Sequence, residues 1–128
     1  MTTKADDELI QKAILEKRKL LITIKDDIGR EYEVQIDPYI FGNDSWQRPF
    51  VWGIWNGFHT YRFYLEWITK VKLEGRHFVV DPNTVYYYAG DEEHYARVAD
   101  PDIECQVYSH IDGRPTKDVI EAFLAKEK

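Results

Sequence analysis

The chain has 128 residues, a length that builds one domain with a sizeable core but not two. Its 17 basic and 23 acidic residues give a net charge of −6, which disfavours nonspecific binding to nucleic acid, since that binding needs a basic surface. The single cysteine, Cys105, excludes an internal disulfide and a cysteine-rich zinc site. The N-terminus is polar and acidic, so we expect no signal peptide, and no apolar run approaches about 18 residues. We therefore expect a cytoplasmic protein that does not enter the membrane.

The first third of the chain predicts a helix followed by two strands. Residues 5–19 carry apolar side chains at helical spacing and end in a basic cluster that suits the negative end of the helix dipole. Residues 20–25 and 31–36 are typical of strands. We expect the second strand to end at Asp37-Pro38, because proline cannot donate to a β-ladder, and a loop of about a dozen residues to follow.

Residues 46–68 are the most distinctive part of the chain. Nine of these 23 residues are aromatic, and all four tryptophans lie among them. Asn56-Gly57, near the centre, favours a two-residue type I′ turn because both turn positions need a positive φ. We therefore predict a hairpin in which Trp55 faces Phe58.

This register sorts the side chains of the hairpin into two faces, because successive residues of a strand point to opposite sides. The more apolar face, expected in the core, carries Phe50, Trp52, Ile54, His59, Tyr61 and Phe63. The other face carries Val51, Gly53, Trp55, Phe58, Thr60, Arg62 and Tyr64. A cation between aromatic walls is the composition of a shallow ligand site. The alternative is that the C-terminal third packs over this face and that Arg62 pairs with a carboxylate.

Beyond the hairpin the pattern is less regular. It predicts a strand pair over 68–73 and 77–80, strands over 84–89 and 103–110, a short helix over 91–99 and a final helix over 115–126. We expect one domain over 1–128, in which helix 5–19 precedes a β-rich part at 20–80 and an α/β extension at 81–128.

The histidines and the cysteine do not have the spacing of a chemical site. No two of the four histidines are spaced i, i+4 as in a helical metal site. Cys105 with His110 lacks a third orienting group, so we expect a buried structural thiol rather than a nucleophile. These patterns predict no metal, no cofactor and no catalysis.

Four groups of residues within 8–80 match the sequence pattern of a known domain family. They are Ile10, Ala13 and Ile14; Asp37-Pro38-Tyr39; Pro49-Phe50-Val51-Trp52-Gly53; and Phe63-Tyr64-Leu65-Glu66-Trp67-Ile68. With these residues the chain resembles the WYL domain of bacterial regulators. The resemblance implies a mainly β (α+β) fold, a strongly bent antiparallel SH3/Sm-like barrel with an N-terminal helix, here followed by a C-terminal α/β extension.

The resemblance implies binding through arginines, because members of that family use arginines to bind nucleic acids or nucleotide-like ligands. Such members often also have an attached helix-turn-helix domain. This chain has Tyr64 and Trp67 where two of those arginines usually stand, and Pro49-Phe50-Val51 replaces the name-giving triplet. Only about 20 residues precede the first predicted strand, so we expect a stand-alone, diverged relative rather than one with an upstream helix-turn-helix.

We therefore predict a non-catalytic ligand-sensing or regulatory binding module for a nucleotide or single-stranded nucleic acid. Its mechanism would be aromatic stacking together with a charge-assisted hydrogen bond from arginine. The candidate contact residues are Arg62, Trp55, Tyr64 and Trp67, with Arg48 and Arg76 as phosphate contacts at the rim. The alternative is a protein-interaction or homodimer module that uses the aromatic hairpin face, since Trp, Tyr and Arg concentrate at binding hot spots.

Overall fold

The structure, a computed structural model, describes residues 3–55, 59–88, 92–107 and 115–125. Its helices are α1 (Lys4–Glu16) and α2 (Lys117–Ala125). Its strands are β1 (Arg18–Lys25), β2 (Glu31–Asn43), β3 (Pro49–Trp55), β4 (His59–Tyr64), β5 (Ile68–His77), β6 (Val85–Tyr88), β7 (His94–Val98) and β8 (Glu104–Val107). A short 3₁₀ turn, Leu65–Trp67, joins β4 to β5. The predicted mainly β, α+β class is confirmed.

Helix α1 begins with a capping box. The Thr3 hydroxyl accepts a hydrogen bond from the Asp6 N–H, and the Asp6 carboxylate accepts one from the Thr3 N–H. The helix ends at Lys17, which has a left-handed φ of 53°. It therefore stops before the predicted end at residue 19, and β1 starts at the next residue. Its buried side chains are those of the predicted stripe, Ile10, Ala13 and Ile14.

The main sheet is antiparallel, with the strand order β4-β3-β2-β1-β5. One edge of β2 pairs with β1 along residues 31–36 and then with β7 along residues 40–43, while the other edge pairs with β3. Strands β6 and β8 form a separate parallel pair. Among the described residues, β4 and β5 are the two ends of this order and do not pair with each other. The sheet is therefore open, and the closed barrel implied by the resemblance is not formed.

Strand β2 passes through Asp37-Pro38 instead of ending there. The ladder to β3 has an irregularity between Pro38 and Ile40, which accommodates a residue without an N–H. Pro38 lies opposite Gly53, where a Cβ would stand 2.1 Å from the Asp37 carbonyl oxygen. The prediction of a strand end and a long loop was therefore wrong, because the bulge and the glycine together let a proline continue the strand.

The register of the aromatic hairpin differs by one residue from the prediction. Trp55 pairs with His59 and Trp52 with Arg62, so three residues instead of two separate the paired ends. The Asn56-Gly57 turn itself lies outside the described residues. Hairpin loops of three residues are also common, so the Asn-Gly signal did not decide the loop length.

The corrected register moves every β4 side chain to the other face of β3. Tyr61 and Phe63 join the face of Trp55, where the three rings pack with the Trp55 ring centroid 5.3 Å from that of Tyr61 and 5.2 Å from that of Phe63. Arg62 and Tyr64 join the face of Phe50, Trp52 and Ile54. Burying the large cluster in the core favours this register.

Two further predictions after the hairpin were wrong. Residues 68–77 form the single strand β5 instead of two strands, and its partner is β1. Residues 94–98 form strand β7 instead of a helix. The acidic stretch before β7 suggested a helix start, but this segment completes the β2 edge beside residues 40–43, and that pairing decides its conformation. Strands β6 and β8 and helix α2 lie within the ranges predicted for them.

Candidate binding site

Arg62 of β4 is a buried arginine in an ion pair. Its Nη1 lies 2.8 Å from Oε2 of Glu93, and both side chains are only 3% exposed. The guanidinium carbon stands 4.1 Å from the centroid of the Phe50 ring, which adds a cation–π contact. These contacts match the interpretation in which the C-terminal third covers Arg62 and supplies a carboxylate.

Two tyrosine hydroxyls complete the surroundings of Glu93. Tyr86 and Tyr95 both donate to its Oε1, at 2.8 and 2.9 Å, and Arg62 also contacts the Tyr86 hydroxyl. Burial raises the pKa of Tyr86; the Arg62 charge opposes this effect and Glu93 adds to it. The pKa of Tyr95 is also raised, mainly by burial and next by its hydrogen bond to Glu93. Both phenols are therefore neutral donors to the carboxylate.

A second arginine lies on the loop between β2 and β3. The buried Asp44 accepts hydrogen bonds at 2.9 Å from the N–H groups of Trp46 and Arg48 through one oxygen. Its other oxygen accepts one from Nε of Arg48 at 2.9 Å and one from the Tyr64 hydroxyl at 3.1 Å. Burial acts to raise the pKa of Asp44, but these donors outweigh it and lower the pKa. The charged carboxylate thus fixes the loop.

Tyr64 connects the two arginines. The Arg48 guanidinium stands 4.4 Å from the centroid of the Tyr64 ring, and Arg62 Nη1 donates to the Tyr64 hydroxyl at 3.4 Å. The same hydroxyl donates to Asp44. A continuous polar network therefore runs from the loop of Arg48 to the Glu93 carboxylate.

The loop presents one large aromatic side chain to solvent. Trp46 is 78% exposed, whereas Trp52, Trp55 and Trp67 are buried. The Arg48 side chain is 46% exposed, and an open cleft of 320 Å³ is lined by Trp46 and Arg48. Glu66, also exposed, lies 4.0 Å from Arg48. An indole and a guanidinium that line one cleft can stack a flat ring and bind an anionic or carbonyl oxygen beside it.

The structure brings four of the six predicted site residues together. Arg48, Arg62, Tyr64 and Trp67 form one cluster, in which the Tyr64 and Trp67 ring centroids are 5.2 Å apart. Trp55 is on the opposite face of β3, in the core. Arg76 is on β5, where its guanidinium pairs with Glu74 at 3.0 Å. Among the six, only Arg48 and Arg76 have open side chains.

Trp46 was not among the predicted contact residues, although the sequence contained a signal for it. The loops Asp26-Asp27-Ile28-Gly29-Arg30 and Asp44-Ser45-Trp46-Gln47-Arg48 close in the same way. In each loop, the first aspartate accepts hydrogen bonds from the N–H groups two and four residues later. The fourth residue has a positive φ, which is 88° at Gly29 and 61° at Gln47. The third residue, Ile28 or Trp46, is exposed in both loops. The shared Asp–Arg spacing therefore predicts an outward-facing third side chain.

Cys105 is exposed on β8, so the expectation of a buried thiol was wrong. Partial desolvation of the thiol, followed by the charge of Glu93, raises its pKa, which favours the protonated form. Within the described ranges, no three His, Cys, Asp or Glu side chains are grouped as metal ligands. The helices described here are too short or too polar to cross a membrane.

No protein-family model and no curated protein matches the sequence. Among solved structures, the fold is similar to part of the proteasome accessory factor B/C (PafBC) of Arthrobacter aurescens, with a TM-score of 0.58 and 15% sequence identity. The match covers 63% of this chain and 13% of that chain. At this identity the likeness concerns the fold alone, and it supports a WYL-related fold.

Proposed function

We propose that this chain is a non-catalytic regulatory binding module that takes up a nucleotide, free or within a single strand, at the surface of Trp46 and Arg48. The observation that carries the proposal is the exposure of Trp46 on a loop fixed by Asp44, beside the half-exposed Arg48. The WYL-related fold supports a regulatory role. The predicted contact residue Arg48 is kept, and Trp46 takes the stacking role first given to the hairpin aromatics.

The proposed mechanism is stacking of a base on the Trp46 indole with a phosphate oxygen on the Arg48 guanidinium. A stacked base contributes about 1–3 kcal/mol in single-strand complexes. Because Asp44 holds the loop through three hydrogen bonds from the Trp46 and Arg48 N–H groups and Arg48 Nε, little backbone freedom of the loop is lost on binding. The base stack supplies most of the affinity.

The charges near the site limit the contribution of phosphate contacts. Asp44 and Glu66 lie beside Arg48, and Glu93 balances Arg62. With a chain net charge of −6, we expect about one phosphate contact and a correspondingly shallow dependence of affinity on salt. A steep salt dependence would indicate a different, more basic surface.

The experiment uses Trp46 as a built-in probe, because it is the exposed tryptophan in the chain. Tryptophan fluorescence is titrated with AMP and with a short oligothymidylate at low salt. We expect quenching in the parent that falls sharply in Trp46→Phe, which removes the reporting indole, and an affinity weakened several-fold in Arg48→Ala. The Asp26 loop provides matched controls, Ile28→Ala and Arg30→Ala, which change the same loop positions away from the site.

The outcomes separate two functions. Quenching that is unchanged in Arg48→Ala, or no quenching at all, would overturn the nucleotide proposal. The second candidate is a protein-interaction or homodimer module, which the exposure of Trp46 also favours because tryptophan anchors binding hot spots. Light scattering tests it directly, since a dimer that dissociates in Trp46→Ala but not in Ile28→Ala would place a second copy on this loop.

A further inference from the structure

The face of β3 and β4 around Arg62 already holds a ring and an anion, and both come from the chain itself. The Tyr86 ring is stacked on Phe50, with centroids 6.4 Å apart and planes 14° apart, and meets the Trp52 ring edge-on at 4.9 Å. The Glu93 carboxylate takes the Arg62 charge. Stacking plus a charge-assisted contact from arginine is the recognition expected for an aromatic anion.

The segment that provides these groups is attached by few buried side chains. Tyr86 is fully buried and Tyr88 partly buried, whereas Tyr87 and all four residues of β8, the partner strand of β6, are exposed. Segments with few buried apolar contacts open at a lower free-energy cost than the core. Opening here requires mainly that Tyr86 leave its ring contacts and that Glu93 leave Arg62.

We propose that Tyr86 and Glu93 act as an internal ligand that occupies a second binding site, and that an aromatic anion of nucleoside monophosphate size competes with them. The ligand ring takes the place of Tyr86 over Phe50, and its anionic group takes the place of Glu93 on Arg62. The contact of Tyr86 and Glu93 with this second site is therefore autoinhibitory, and its release frees the strand pair of β6 and β8. This site is separate from the Trp46 surface and does not depend on it.

The test is made in a Trp46→Phe background, so that the emission of Trp46 is absent and Trp52, in contact with Tyr86, becomes a reporter. AMP is titrated into this protein and into its Glu93→Gln variant. Glu93→Gln removes the competing anion, and the apparent affinity of a site rises with the fraction that is free. We expect AMP to bind Glu93→Gln at least about tenfold more tightly than the background protein.

The adjacent Glu92 provides the control, because its side chain is exposed and contacts His94 instead of Arg62. Glu92→Gln changes the net charge equally and should leave AMP affinity at the background value. Equal affinities in the two variants, or no binding to a folded Glu93→Gln, would overturn the proposal. If Glu93→Gln does not fold, hydrogen exchange in the Trp46→Phe background decides. Saturating AMP should then speed exchange of the β6 amides but not those of β1, and unchanged β6 exchange would be contrary to the proposal.

Discussion

Arg62 and Glu93 form an ion pair with 2.8 Å between nitrogen and oxygen, and the two side chains are equally inaccessible to water. The pair joins β4 to the residue that precedes β7, so it ties the hairpin to the C-terminal segment. Removing two charges from water costs several kcal/mol per ion, and the attraction repays this only when the remaining donors and acceptors are satisfied. Here Tyr86 and Tyr95 donate to the carboxylate, and Phe50 stacks on the guanidinium.

Truncating one partner of this pair should be much more costly than truncating an exposed arginine. We expect Arg62→Ala to lower the free energy of unfolding by about 3–5 kcal/mol, because it leaves the Glu93 charge buried without its partner. Arg76→Ala, which removes an exposed guanidinium paired with Glu74, should cost less than about 1 kcal/mol. Urea denaturation measures both. The double variant Arg62→Met/Glu93→Gln should recover part of the loss, and a further loss would contradict this account.

Gly53→Ala should be severely destabilising. A Cβ at this position would lie 2.1 Å from the Asp37 carbonyl oxygen and 3.0 Å from the Pro38 Cα, and backbone atoms cannot rotate away as a flexible side chain does. We expect a loss of about 3 kcal/mol or more in the free energy of unfolding. The matched control is Gly75→Ala on β5, where no atom lies within 4 Å of the added carbon and the change should stay within about 0.5 kcal/mol. Similar losses in the two variants would rule out the proposed backbone clash.

Gln47→Gly should stabilise the protein. Gln47 has a φ of 61°, and the left-handed region costs a residue with a side chain about 1–2 kcal/mol. Glycine removes this cost but loses more chain entropy on folding, so we expect a net gain of about 0.5–1 kcal/mol. Ser45→Gly, in the same loop but without a positive φ, should lower stability instead. Thermal unfolding compares the two, and a loss in Gln47→Gly would show that the glutamine side chain contributes more than the strain.

Stability should fall at acid pH through Asp44. Its pKa in the folded protein is lowered, so at a pH near its usual value of about 3.9 the unfolded chain binds a proton that the folded chain does not. The contribution of Asp44 to the free energy of unfolding is fully present above that pH and is lost as the pH falls through the lower pKa of the folded protein. We expect the urea midpoint to drop less between pH 6 and pH 3 in Asp44→Asn than in the parent. The control Asp27→Asn, which leaves both aspartates that close the loops intact, should follow the parent.

Several elements could be read from local residues because their causes are local. The apolar stripe Ile10, Ala13 and Ile14 is enough to predict helix α1. The candidate site was predicted less well, since Arg48, Arg62, Tyr64 and Trp67 do come together but three of them are enclosed. Arg62 is enclosed by Tyr86 and Glu93, which are distant in sequence and carry no signal of their partner.

The sequence by itself determined the mainly β class, the helix ahead of it, the presence of an aromatic hairpin and the WYL-like spacing, because periodicity and composition act within a few residues. Only the tertiary structure decided the hairpin register, the passage of β2 through Pro38 and the conversion of residues 94–98 into a strand. Each of these depends on what packs or pairs across the sheet. For the same reason, the charge of Arg62 was neutralised from within the chain and Trp46 was left in solvent.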